Sequence, residues 1–72
     1  MADLPSVSGK EAIRAFERLG YEQARQKGSH VFMRQEGRRS ISVPLNDPIK
    51  RGTLRSLIRD AGYTVEEFRN AL

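Results

Sequence analysis

The stretch Lys27-Gly28-Ser29-His30 holds the only histidine of the 72-residue chain, behind a glycine and a serine and ahead of a run that alternates apolar and polar residues. Histidine as a residue type titrates near pH ~6.5, which suits it to proton transfer around neutral pH. Taken alone, a histidine at the start of a strand is more often a half-buried packing residue than a catalyst. The surroundings of His30 must decide. No serine–histidine–aspartate set is indicated, because nothing in the sequence places an acid beside it. With no cysteine and one histidine among scattered carboxylates, there is no recognisable zinc or iron ligand set. A protein without metal or cofactor is expected.

Those surroundings are basic. The formal net charge is +4, but residues 1–22 carry three basic and four acidic groups and residues 60–72 carry one and three. Residues 23–59 hold Arg25, Lys27, Arg34, Arg38, Arg39, Lys50, Arg51, Arg55 and Arg59 against Glu36 and Asp47, a local balance of +7. An excess of one sign attracts a polyanion, and nucleic acid is the expected partner. RNA carries its own nucleophile, the 2′-hydroxyl. Its cleavage requires a proton acceptor, stabilisation of charge on the phosphate and a proton for the departing 5′ oxygen, with no obligatory metal. Lys27 is nearest to His30 in sequence and Arg34 lies on the same strand face, while Arg38, Arg39, Lys50 and Arg51 are candidates for holding flanking phosphates. Gly28 lets a phosphate approach the backbone, and the Ser29 hydroxyl can orient the scissile group. The second proton-transfer group stays open between His30 acting twice, a water and a lysine. Arg55 and Arg59 read as a solvated helix face or a partner contact. Tyr21, Phe32 and Tyr63 can in principle stack on bases, with Phe32 and Tyr63 better read as core or its border.

The elements that must position these residues follow from local signals. Ser8-Gly9-Lys10-Glu11 is a capping box with Val7 able to staple onto Ala12, so a helix starts there, burying Ile13, Phe16 and Leu19 and stopping at Gly20. Tyr21 to Gln26 reads as an edge strand closed by a Lys27-Gly28-Ser29 turn. His30 to Gln35 alternates, with His30, Phe32 and Arg34 on one side and Val31 and Met33 on the other. Glu36-Gly37 turns the chain into Arg38 to Pro44, where Arg39, Ile41 and Val43 oppose Ser40 and Ser42. Leu45 to Gly52, broken by Pro48, is a loop that is long for so small a domain. Thr53 begins a second helix with Leu54, Leu57, Ile58 and Ala61 inward, ended by Gly62. Thr64-Val65-Glu66-Glu67 is a second capping box opening a short helix whose Val65, Phe68 and Leu72 pack back. The expected fold class is α+β: helix, three-stranded antiparallel sheet, helix and short C-terminal helix, in one domain over residues 1–72 with a flexible segment at 1–6. This is the layout of a double-stranded RNA-binding domain, though a layout by itself does not confer function. The opening MADLPSVSGK has no basic segment leading into an apolar one, and no apolar run approaches the ~20 residues of a membrane span. A cytoplasmic protein without membrane contact is expected.

The leading helix ending in "LGY", the "KGSHVF" strand start, the strand ending in "SVP" and the later "GTLRSLIRDAGYTVEEF" together resemble the HicA (YcfA-like) toxins of HicA–HicB toxin–antitoxin pairs, from about Ser8 to Leu72. The resemblance implies an mRNA-cleaving toxin of double-stranded RNA-binding-like fold, with the strand histidine as the catalytic residue and a HicB-like antitoxin as its inhibitor. That role maps onto His30, and Gly28 and Ser29 match the same motif. Many relatives carry a histidine shortly after the strand-ending proline, where this chain has Leu45-Asn46. The alternative of another class is a noncatalytic RNA-binding module in which His30 only packs.

Overall fold

The computed structural model describes residues 3–72. In chain order it contains α1 (Gly9–Arg18), β1 (Glu22–Lys27), β2 (His30–Arg34), β3 (Ile41–Pro44), α2 (Arg51–Ala61) and α3 (Val65–Ala71). The strands form one antiparallel sheet in the order β1-β2-β3. The expected α+β layout is the one observed.

Both capping boxes form. The Ser8 hydroxyl accepts from the Glu11 N–H and the Glu11 carboxylate accepts from the Ser8 N–H, and Thr64 and Glu67 repeat the exchange at α3. The second helix starts at Arg51 rather than Thr53, with Lys50 at its N-cap and no side chain capping it. The sequence offers no capping residue there to read, and the hydroxyl of Thr53 marks the wrong start.

Strand alternation puts Val31 and Met33 of β2 with Ile41 and Val43 of β3 on one sheet face. The helices cover that face with Ile13, Phe16, Leu54, Leu57, Ile58 and Phe68, forming a single apolar cluster. Removing a side chain of this kind from water contributes about 1.5–3 kcal/mol. Phe16 is central, with its ring 5.1 Å from that of Phe68 and 5.7 Å from that of Tyr21. Leu19 only borders the cluster, and Leu72, expected to pack back, is 41% exposed.

Three departures from the expected pattern have local causes. β1 carries a bulge between Gln23 and Arg25. An extra residue reverses the alternation upstream of it, so Tyr21 turns into the core at 2% exposure and is not available to stack on a base. β3 begins at Ile41, not Arg38, because Arg38 turns away to the end of α2 and Arg39 stays in solvent rather than aligning with Ile41 and Val43. Finally, Leu4 and Ile49 are core residues at 1% and 4% exposure. The first falls in the segment expected to be flexible, of which Met1 and Ala2 lie outside the described residues. The second falls inside the loop after β3.

Candidate active site

His30 opens β2 and is exposed on the sheet face opposite the helical layer. It is therefore not a packing residue. Its cross-strand Cα partners are Lys27 of β1 and Pro44 of β3. Between Lys27 and His30 lies a two-residue loop whose first member, Gly28, has φ +58°, the sign a type II′ hairpin requires at that position. A Cβ on Gly28 would meet nothing within 4 Å, so the demand for glycine is conformational and the space above the turn is open.

Backbone hydrogen bonds stitch this end of the molecule together. Leu45 N–H donates to the Ser29 carbonyl at 2.7 Å, Gly9 N–H to the Asn46 carbonyl at 2.8 Å, and Ile49 N–H to the Val7 carbonyl at 2.8 Å. The β1–β2 turn, the exit of β3, the start of α1 and the approach to α2 are thus tied to one another. Gly9 permits the crossing: a Cβ there would run into the Pro44 carbonyl oxygen and come within 2.7 Å of the Leu45 Cα. The long loop after β3 is ordered by these bonds. Lys50 and Arg51 follow Ile49 directly at the start of α2 and are exposed. Lys10, which no sequence signal singles out, lines a cavity of about 170 Å³ at this end with Ser8, Gly9, Leu45, Asn46 and Asp47.

Three other cations of the basic block, Arg34, Arg38 and Arg39, are elsewhere. Arg34 shares the outward face with His30 but lies at the other end of β2 opposite Glu22, four residues away or about 13 Å. Arg38 donates from Nη1 to the carbonyls of Ala61 and Gly62 at 3.1 and 3.3 Å, and its guanidinium lies 4.0 Å from the Tyr63 ring centroid. It closes the C-terminus of α2, where the last carbonyls lack helical partners. Arg39 pairs loosely with Asp60 at 3.9 Å, its side chain 80% exposed. Folding therefore divides the block: Lys27 and Arg25 flank the strand beside His30, Lys50 and Arg51 stand at the start of α2, and Arg34, Arg38 and Arg39 gather at the opposite end of the sheet.

The outward face also holds a row next to His30. Arg25, Phe32 and Ser42 are cross-strand neighbours there, with the Arg25 guanidinium 5.4 Å from the Phe32 ring centroid. Phe32 is half-buried and belongs neither to the core nor to the hydrophobics bordering it, contrary to the expected role. Alternation along β2 sets Phe32 on the His30 face, and the two-residue turn at Gly28-Ser29 sets Arg25 opposite it.

Two groups away from His30 have displaced pKa values. The Glu11 carboxyl is held below its ordinary value by the hydrogen bonds from Ser8 that form the cap of α1. The Tyr21 phenol is raised by burial and by its neighbour Tyr63, and it donates to the Arg39 carbonyl at 2.7 Å. Among the described residues, no three histidine, aspartate or glutamate side chains converge to hold a metal ion, and no helix is long and apolar enough to cross a membrane.

The family model described as "HicA toxin of bacterial toxin-antitoxin" matches residues 9–63, from the start of α1 through the residue after Gly62. The span includes the whole sheet and α2, and leaves α3 outside. No curated protein matches the chain. A match over most of the length, carrying the exposed histidine and the turn that presents it, shows that the chain belongs to the HicA toxin family of bacterial toxin–antitoxin systems.

Proposed function

We propose that this toxin is a metal-independent endoribonuclease that cleaves mRNA in the cytoplasm, with His30 as its general acid/base and a HicB-like antitoxin as its inhibitor. The observation that carries the reading is the placement of His30, exposed on the open sheet face and directly opposite Lys27 at the turn. A packing histidine would sit on the face with Val31 and Met33.

The chemistry needs little more. Neutral His30 takes the proton of the 2′-hydroxyl as its oxygen attacks the adjacent phosphorus, and the 5′ oxygen leaves with a proton from the protonated imidazole, a water or a lysine. Lys27 stands where negative charge gathers on the phosphate oxygens. The open space above Gly28 admits the backbone of the substrate, and Ser29 lies in the same turn to orient it. Lys50 and Arg51 hold neighbouring phosphates, and Arg34 and Arg39 meet the strand only further along. An antitoxin that covers His30 and neutralises these cations would stop the reaction by steric and electrostatic means.

The test is cleavage of a single-stranded RNA and of the matching DNA by wild type and His30→Ala, with excess chelator. The expected result is RNA-only cleavage leaving a cyclic phosphate and a 5′-hydroxyl, unaffected by chelator and abolished in the variant. Binding without cleavage by both proteins would support a noncatalytic RNA-binding module. Cleavage of DNA, or dependence on a divalent metal, would overturn the mechanism.

A further inference from the structure

We infer that Phe32, with Arg25 beside it, is a stacking platform for the unpaired base of a nucleotide flanking the scissile phosphate, so that the substrate must be single-stranded where it is cut. The inference rests on the reading that RNA is bound on the face carrying His30.

Phe32 lies two residues from His30 along β2, about 6.6 Å, and on the same outward face. That offset is of the size that separates a phosphate from the base of an adjoining nucleotide. Phe32 lies outside the core cluster and its border, and its half-buried ring packs against Arg25 rather than against the helices. Its half-buried ring, with the Arg25 guanidinium over it, leaves one aromatic surface among the charged side chains of that face. Charge complementarity names the ligand. Phe32 is flanked by Arg25 and Lys27 of β1 and by Arg34 of its own strand, with Glu22 opposite Arg34 and Glu36 lining a cavity with both at the far end. An anionic polymer with flat apolar bases satisfies both the ring and the cations, and every base has a face that an aromatic ring can stack on. Arg25 is held above the ring at 5.4 Å and can extend the stack with its planar guanidinium or move onto a phosphate. Paired bases in an A-form helix cannot reach the ring, because their faces are already stacked within the duplex.

The chain has no tryptophan, so Phe32→Trp introduces a single fluorophore at the proposed platform. In a His30→Ala background, which permits binding to be read without cleavage, labelled single-stranded RNA and the same sequence as a duplex are titrated against three proteins: the parent, Phe32→Leu and Phe32→Trp. Thermal unfolding confirms that each is folded. Phe32→Leu is expected to weaken single-strand binding about 5- to 150-fold while leaving duplex binding unchanged. Phe32→Trp retains affinity, and its emission is quenched by the single strand but not by the duplex. Unchanged single-strand affinity in Phe32→Leu, equal loss on both RNAs, or no quenching at saturation would overturn the inference. Unchanged RNA affinity together with lost inhibition by an acidic antitoxin would assign Phe32 to a protein interface instead. Because the readout is binding, failure of wild type to cut RNA would remove the catalytic reading of His30 and leave the platform standing, and the reverse pattern would do the opposite.

Discussion

Lys27 and His30 face each other directly across the Gly28-Ser29 turn as the final pair of the β1–β2 ladder. Side chains paired in this way start from Cβ atoms about 5 Å apart, so a phosphate touching the imidazole is within reach of the Lys27 ammonium. Arg34 is about 13 Å further along the strand. Lys27→Ala should therefore lower kcat/KM for RNA cleavage on the order of 10- to 100-fold, as expected for loss of one charged hydrogen bond, whereas Arg34→Ala costs less and acts through KM. Initial rates over a range of RNA concentrations separate the two. Equal losses would mean that the phosphate is not held at the turn.

Arg38 belongs to the same stretch of basic sequence yet serves the fold. Its bonds to the Ala61 and Gly62 carbonyls and its stacking on Tyr63 join the β2–β3 turn to the end of α2. Arg38→Ala should cost about 1–2 kcal/mol in urea unfolding, with the loss showing in stability far more than in kcat. A large fall in kcat at undiminished stability would return Arg38 to the substrate.

Two glycines give opposite expectations for the same substitution. Gly9→Ala drives a methyl group into the backbone of Pro44 and Leu45, which should destabilise the protein by about 1–3 kcal/mol. Gly52 lies within α2, where a methyl group would meet nothing within 4 Å and φ is ordinary. Gly52→Ala should stabilise by about 0.4–1 kcal/mol by restricting the unfolded chain. Denaturation midpoints of the two variants beside wild type check both signs.

Burial of the Tyr21 phenol links stability to alkaline pH. The unfolded chain ionises it near its ordinary value of 10.0, while the folded chain holds its proton to higher pH. Stability is thus complete below that value and falls as pH rises through the folded pKa, because there the unfolded state has released a proton the native state keeps. Tyr21→Phe should lose about 1 kcal/mol near neutral pH with the hydrogen bond to Arg39 and show a shallower decline above about pH 10. Parallel urea titrations across that range measure the difference. An identical slope in both proteins would mean that the phenol is not protected by the fold.

The sequence by itself determined the elements and the residue at the centre of the proposed chemistry. Capping boxes at Ser8 and Thr64, alternation through Val31 and Met33, and a glycine at the hairpin turn are local signals, read over a few residues by hydrogen-bond geometry and side-chain period. They place His30 on the polar face of a strand, and the family pattern around it was equally legible. Only the tertiary structure decided which cations accompany it. Charge counted along a chain has no direction, and a β-strand carries its two ends apart by several ångströms per pair of residues. Lys27 was kept by the turn, Lys50 and Arg51 were set at the start of α2, and Arg38 was taken by the open end of α2. The roles of Tyr21 and Phe32 were decided in the same way. A bulge of one residue reversed the face of Tyr21, and the helices packed on the other side of the sheet, so Phe32, set beside His30 by alternation, is outside the core rather than at its border. Such outcomes depend on register and on which surfaces meet, and neither is encoded in the period of any single segment.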